Sequence, residues 1–176
     1  TWYRDHQALQ EQISVRIENR GSSWSVKQIL GAPDTPSPGD RSSAWASASQ
    51  DSSPEWVVVE FPTVSDVAVV EVVETYNPGA VRRVCSISAL GGEDELWKGI
   101  DPTPTSAAMG RSLFSVPQGT HTRRIKVYLD SVAVAGWNEI DAVALHDRNG
   151  SIQWATDAWA SSAFGSNQEL PNWFWP

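Results

Sequence analysis

The sequence predicts an all-β protein, an antiparallel jelly-roll β-sandwich of about eight strands with short peripheral helices. Three observations favour this fold class. Short β-branched runs recur along the chain, glycine and proline lie between them, and helical periodicity is nearly absent. With 176 residues, 40% of them hydrophobic, the chain is large enough to form one folded core.

The first three predicted strands are expected to lie side by side as a meander. Residues 56–61 (WVVVEF) and 67–74 (VAVVEVVE) are valine-rich runs, and a turn predicted at 62–66 separates them. Residues 81–90 (VRRVCSISAL) follow a second turn at 77–79, where the sequence Asn-Pro-Gly favours a reversal of the chain. Such short connections are typical of neighbouring antiparallel strands.

Three more strands are predicted in the second half of the chain. Residues 123–129 (RRIKVYL) alternate apolar and polar side chains, as a half-buried strand does. Residues 139–146 (EIDAVALH) and 151–156 (SIQWAT) flank an Asn-Gly pair at 149–150. This dipeptide tolerates positive φ and therefore predicts a tight hairpin turn.

Helical patterns are confined to residues 5–12 and 24–30, each long enough for only a few turns. We expect an N-terminal extension over residues 1–12 and the sandwich over 13–148. The remainder, 149–176, is expected to hold the last hairpin strand and a Trp-rich segment, LPNWFWP. Because this segment is too short to build a core, we expect it to fold back on the sandwich.

The composition disfavours several classes of function. Lys+Arg 13 against Asp+Glu 21 gives a net charge of -8, which repels phosphate backbones, so no nucleic-acid partner is expected. No run of 18 apolar residues occurs in the sequence, so no membrane span is expected. Cys85 is the one cysteine and cannot form an internal disulfide. We expect it to be buried on its strand as a small apolar side chain.

Sequence signatures of catalysis are missing, including the P-loop, GxSxG, HExxH and GxGxxG motifs. Glu71 and Glu74, or the acidic residues 93–95, are conceivable acid–base pairs for glycan cleavage. Residues 93–95 follow two glycines, however, and are better explained as the exposed tip of a hairpin. We therefore expect no enzyme, and a small glycan-cleaving enzyme is the minor alternative.

A long irregular segment at 31–54 carries candidate ligands for a metal ion. Asp34, Asp40 and Ser43 supply oxygen atoms within ten residues, an arrangement that suits a hard cation such as calcium. Glu139, which opens a strand far along the chain, could complete such a site. The alternative is that the aspartates only cap turns beside the neighbouring prolines and glycine.

Aromatic, amide and guanidinium side chains in predicted loops are the candidates for ligand contact. The chain has ten tryptophans, and a sugar is recognised by an aromatic plane together with planar polar groups that bind its hydroxyls. The candidates are Trp24, Tyr76, Asn77, Arg82, Trp137 and Asn138. The alternative is that the segments NPGAV and GWNEID are structural turns.

Several motifs together resemble a known family. They are SSWSVKQILGAPDT followed by GD and AW, then EWVVVEF, VVETYNPGAVRRV, ELWKGIDP, RIKVYLDS and GWNEIDAVALHD. They resemble the discoidin-like (coagulation factor 5/8 type C, galactose-binding-domain-like) superfamily over residues 13–147. Bacterial extracellular modules are similar, as is the amino-terminal domain of the mitochondrial F-box and leucine-rich-repeat protein.

The resemblance implies a jelly-roll module without catalysis, whose loops at one end recognise glycans, lipids or proteins. It implies a structural calcium held by the loop that contains Asp34, Asp40 and Ser43, with Glu139 as the closing ligand, and it places Trp45 in the core. The expected function is a carbohydrate-binding module within a larger extracellular or cell-surface bacterial protein. A protein-interaction or scaffold domain is the alternative, for which the F-box relative is the precedent.

Overall fold

One long strand, β1 (Glu55–Tyr76), takes part in both sheets of an antiparallel β-sandwich. The structure is a computed structural model and describes residues 21–52 and 54–175. β1 is rich in valine, and β-branched side chains pack well on a pleated, half-buried surface. The strand is therefore favoured by its own sequence before any partner pairs with it.

Seven further strands and two short 3-10 helices complete the described part of the chain. They are β2 (Val81–Ile87), β3 (Glu93–Lys98), β4 (Gly110–Ser115), β5 (His121–Leu129), β6 (Glu139–Asp147), β7 (Ile152–Trp154) and β8 (Asp157–Ala160), with 3-10 helices at Val26–Ile29 and Asn172–Phe174. The prediction of an all-β antiparallel sandwich of about eight strands with short peripheral helices is confirmed.

The two sheets share β1 at different points along its length. Residues 55–66 pair with β5 and β8, and the β5 side continues through β2 to β3. Residues 67–76 pair with β4 and β6, and β6 pairs with β7. β1 thus crosses from one layer to the other, and the core fills the space between the layers.

The turn predicted at residues 62–66 is wrong, because the backbone stays in the strand there. Pro62, Thr63 and Val64 are exposed, and the register against β5 shifts between Glu60 and Ser65. A proline cannot donate to the ladder and is accommodated at such a bulge. The chain therefore bends through this point instead of reversing.

The predicted meander is also wrong, because β2 pairs with β3 and β5 and not with β1. The other strand predictions agree with the structure except at a few places. β3, β4 and β8 were not predicted, and residues 151–156 form only the short β7. The acidic residues 93–95 begin β3 rather than cap a hairpin tip, and Glu93 accepts a hydrogen bond from Lys126 Nζ at 2.6 Å. The Asn-Gly turn joins β6 to β7 as expected, with Gly150 at φ 91.

The core contains the tryptophan predicted to lie there. Trp45 is 1% exposed, and its indole N–H donates to the Ser162 carbonyl at 3.0 Å. Its backbone amide donates to the Ile140 carbonyl at 2.8 Å, so the irregular segment is fastened to the start of β6.

Cys85 is also buried, and this burial raises the pKa of its thiol to about 11. The predicted helix at 5–12 and the extension at 1–12 lie outside the described residues.

The C-terminal strap, residues 170–175, folds back on the outer face of the sheet that contains β5. Phe174 stacks on Trp56 with centroids 5.4 Å apart, and Trp173 meets Trp159 edge-on at the same distance. The Arg124 guanidinium lies 3.8 Å from the centre of the Trp173 ring. These contacts form a second apolar cluster apart from the core. The Trp-rich segment therefore lies against the sandwich in this structure.

Trp173→Ala should destabilise the protein by about 1–3 kcal/mol, because it removes an aromatic pair and a cation–π contact. Trp175 is the matched control, since its side chain is 64% exposed. Trp175→Ala should change the free energy of unfolding by less than about 0.5 kcal/mol. Urea unfolding measures both, and equal effects of the two substitutions would contradict the docked strap.

Two carboxyl groups lie buried side by side between β1 and β4. Glu74 accepts hydrogen bonds from the Gly79 amide at 3.0 Å and from the Ser112 hydroxyl at 2.8 Å. Asp101 accepts from the Val81 amide at 3.0 Å and also contacts Ser112. Burial, followed by the charge of Asp101, raises the pKa of Glu74 to about 8. Glu74 therefore keeps its proton in the folded protein at neutral pH.

This proton makes the stability of the fold depend on pH. The pKa of Glu74 rises on folding from an ordinary 4.5 to about 8, so its contribution is complete below the lower value and is lost as pH rises through the higher one. Glu74→Gln carries a donor at every pH. Its melting temperature should therefore fall less than that of the wild type between about pH 5 and pH 8. Glu169→Gln, at an exposed position, is the control; identical pH profiles for wild type and Glu74→Gln would refute the assignment.

Candidate functional site

A cavity of about 180 Å³ opens beside the start of β6. Its walls come from three distant parts of the chain: the irregular segment before β1, the turn into β6, and the segment after β8. The lining residues are Trp24, Asp40, Ala46, Trp137, Glu139 and Phe164. Two were predicted to bind a ligand, Trp24 and Trp137, and two to bind a metal, Asp40 and Glu139. The structure brings these four residues together in one pocket.

Three aromatic rings form the apolar part of the pocket. Phe164 lies 5.5 Å from Trp24 and 5.9 Å from Trp137 between ring centroids, at interplanar angles of 77° and 84°. The Trp24 indole N–H donates to Asp40 Oδ1 at 2.9 Å, and that of Trp137 donates to the Ser47 carbonyl at 3.0 Å. Since both indole donors are occupied, the rings offer the pocket their apolar surfaces.

Two carboxyl groups form its polar part. Glu139 is 1% exposed, and the Arg41 amide donates to its Oε2 at 3.1 Å. Burial raises the pKa of Glu139 to about 8, and a hydrogen bond and the charge of Asp40 add to the rise while the Arg41 amide opposes it. Asp40 itself is exposed. Near neutral pH the protonated form of Glu139 is therefore favoured, and its carboxyl group lies beside that of Asp40 at the mouth of the pocket.

The backbone at Trp24 holds a conformation that side chains rarely adopt. Its φ is 53, in the left-handed region where glycine is preferred. The Trp24 amide donates to the Ser42 carbonyl at 3.0 Å, and its carbonyl accepts from the amides of Ala46 and Gly165, each at 3.4 Å. These bonds impose the unusual dihedral angle and place the indole ring at the pocket. Strain of this kind is concentrated at ligand sites.

Asn77 and Asn138, both predicted to contact a ligand, do not line the pocket and instead hold the turn that carries Trp137. The side-chain amide of Asn77 donates to the Trp137 carbonyl at 2.9 Å. The side-chain amide of Asn138 donates to the carbonyls of Asn77 at 2.9 Å and Val134 at 3.2 Å. Gly136 has φ 90, and a Cβ there would lie 2.5 Å from Asn77 Nδ2. Both asparagines therefore fit the alternative interpretation, in which the segments NPGAV and GWNEID are structural turns.

Tyr76 and Arg82 are also outside the pocket lining. Tyr76 ends β1, opposite Glu139 in the ladder. Arg82 donates from Nη1 to the carbonyls of Gly79 at 2.7 Å and Val81 at 3.0 Å, so it supports the turn between β1 and β2. Of the six residues predicted to bind a ligand, Trp24 and Trp137 therefore meet at the pocket.

The predicted metal ligands separate into two groups. Asp40 and Glu139 are adjacent, whereas the Asp34 amide and Thr35 donate to the carboxylate of Asp141 at 2.8–3.1 Å. The Ser43 hydroxyl lies 2.7 Å from the Thr35 hydroxyl. Among residues 21–52 and 54–175, no three acidic, histidine or cysteine side chains form a group that could hold a metal ion. The three predicted acidic ligands, Asp34, Asp40 and Glu139, therefore do not form one group among the described residues.

Two important residues were not predicted. Asp141 is fully buried and organises the irregular segment, and an acid inside the apolar run EIDAVALH was the available signal. Phe164 is 56% exposed and joins the two tryptophans. Phe164 is the one aromatic residue within the polar segment SSAFGSN, but nothing in the sequence indicated which residues it would contact.

Comparison with known proteins does not assign the chain to a family. No protein-family model, curated protein or solved structure matches it. The described residues contain no helix long and apolar enough to cross a membrane. The pocket itself is therefore the basis for any functional proposal.

Calcium remains a prediction for Asp34, Asp40, Ser43 and Glu139. A cation that prefers the native state raises stability by about 2.7 kcal/mol at a hundred times its Kd. If calcium binds here, EDTA should lower the melting temperature, and calcium should restore it better than magnesium. Glu139→Ala should remove the difference between the melting temperatures in calcium and in EDTA. Calorimetry on protein first shown to be metal-free decides it; an unchanged melting curve would mean that these acids only cap turns.

Proposed function

We propose that this chain is a non-catalytic binding module that takes a sugar residue of a glycan in the pocket between Trp24, Trp137 and Phe164. The observation that carries the proposal is the combination of three aromatic rings and two carboxyl groups around one small cavity. Aromatic rings pack against the C–H face of a sugar, and a carboxylate accepts hydrogen bonds from its hydroxyls.

The size and position of the pocket support a small ligand group. Its volume of about 180 Å³ is below the roughly 300–1,000 Å³ of pockets that enclose drug-sized molecules. It therefore suits one ring of a longer chain. The walls lie in connecting segments on a rigid sandwich, the usual place for binding residues. The resemblance to discoidin-like modules points the same way and supports a location within a larger extracellular or surface bacterial protein.

The geometry of the carboxyl groups favours binding over cleavage. Glycosidases hold their two carboxyl groups about 5–10 Å apart so that a sugar or water fits between them. Asp40 and Glu139 instead lie side by side in the wall of one pocket and interact with each other. Glu71 is held by Arg111 at 2.7 Å and by His146 at 2.6 Å. None of these carboxyl groups forms an open acid–base pair.

A protein-interaction domain is the second candidate. Phe164 exposes 56% of its surface beside two half-buried tryptophans, and exposed aromatic residues of this kind carry much of the energy in protein interfaces. A partner side chain could therefore occupy the same cavity. Failure to bind any glycan, together with a defined protein partner that Trp137→Ala releases, would replace the sugar proposal with this one.

A glycan array followed by calorimetry tests the proposal. We expect reproducible binding with Kd in the millimolar to micromolar range. Trp24→Ala and Trp137→Ala should each weaken it at least tenfold, because each removes one wall of the pocket. Trp175→Ala removes an exposed tryptophan outside the pocket and should leave the affinity unchanged. Affinity that survives both pocket substitutions would place the sugar elsewhere.

A further inference from the structure

We propose that the sugar bound in this pocket carries a free amine, so that the ligand is an amino sugar with a cationic ammonium group. This inference rests on the proposed function and names the class of glycan. It depends on three features of the pocket: the kind of polar atom it offers, the absence of a basic residue from its lining, and the arrangement of its rings.

The polar atoms that the pocket offers are hydrogen-bond acceptors. Asp40 lies exposed at the mouth, and its Oδ1 accepts one hydrogen bond from the Trp24 indole. An ionised carboxylate can accept several more hydrogen bonds and donate none. The two indole N–H donors are already used inside the protein. A ligand group that only donates, such as an ammonium, matches this lining better than one that must also accept.

Among residues 21–52 and 54–175, no basic side chain lines the cavity. The lining residues that the structure describes include no lysine, arginine or histidine. In the part of the chain that the structure describes, no ion pair involves Asp40 or Glu139. A ligand ammonium would supply the missing cation through a charge-assisted hydrogen bond to Asp40. An acidic sugar would instead be repelled.

The aromatic rings add attraction for a cation. A cation within about 6 Å of a ring centre is attracted by the electrons of the ring face. Phe164 stands nearly perpendicular to both tryptophan rings, so the three rings bound the cavity on different sides. A group in the cavity therefore approaches more than one ring.

At another place in this protein, aromatic rings and a carboxylate surround the ammonium group of a lysine. On the outer face of the β5 sheet, Lys126 Nζ lies 4.6 Å from the centre of the Trp56 ring, 4.7 Å from that of Tyr128 and 5.2 Å from that of Phe174. It also pairs with Glu93 at 2.6 Å. Three rings and a carboxylate there surround an ammonium group. The pocket presents three rings and a carboxylate without one.

Calorimetry with three probes tests the inference: the trimers of glucosamine, N-acetylglucosamine and glucose. The measurements use physiological salt and EDTA at about pH 5.5, because the oxygen atoms beside the amine of glucosamine lower its pKa below that of an alkyl amine such as lysine. The glucosamine trimer should bind at least tenfold more tightly than the other two. Asp40→Asn should abolish that preference, and Asp40→Glu, which keeps the charge, should retain it in part. The melting temperature of each variant confirms that it folds.

The net charge of -8 attracts any cationic oligomer, so a charge control is needed. Asp94→Asn removes the same charge from β3, outside the pocket, and should keep the tenfold preference. If Asp94→Asn loses the preference as fully as Asp40→Asn, the attraction is general and the inference is wrong. Equal binding of all three trimers would overturn the amine preference alone. A blank glycan array together with no binding of any trimer would overturn the sugar function as well.

Discussion

The fold depends on one strand that serves two sheets. β1 is 22 residues long, and its first part pairs with β5 and β8 while its second part pairs with β4 and β6. Because β1 bends at Pro62 and continues, the strand itself, and not a loop, connects the two sheets. Because β1 ends at Tyr76 directly opposite Glu139, the path of this strand also decides where the pocket lies.

The pocket is assembled by backbone hydrogen bonds between segments that are distant in sequence. Trp45 and Ile140 exchange two such bonds, at 2.8 and 3.1 Å, which hold the irregular segment against β6. The Phe164 amide donates to the Ala46 carbonyl at 2.8 Å, which brings the third ring to the same place. The walls are therefore positioned before any ligand arrives, and a ligand need not order them at a cost in affinity.

The sequence predicted the strands that carry long β-branched runs, and β1, β2, β5 and β6 are all of this kind. β4 (GRSLFS) and β8 (DAWA) lack such runs, and their pairing with β1 makes them strands. Local propensity cannot predict an element that tertiary contacts create.

The candidate site divides in the same way. Residue chemistry identified Trp24, Trp137, Asp40 and Glu139, but under two separate functions, one for sugar and one for metal. Arg41 and Glu139 meet although 98 residues separate them, and no local pattern records that contact. The asparagines were misassigned because an amide that holds a turn looks the same in sequence as one that binds a hydroxyl.

The most direct test follows the indole N–H signals of the ten tryptophans by NMR while a glycan that binds on the array is titrated in. The account predicts large shifts for Trp24 and Trp137, whose rings bound the cavity, and little change for Trp56, which lies under the C-terminal strap. Saturable binding that shifts the strap tryptophans and leaves Trp24 and Trp137 in place would contradict it.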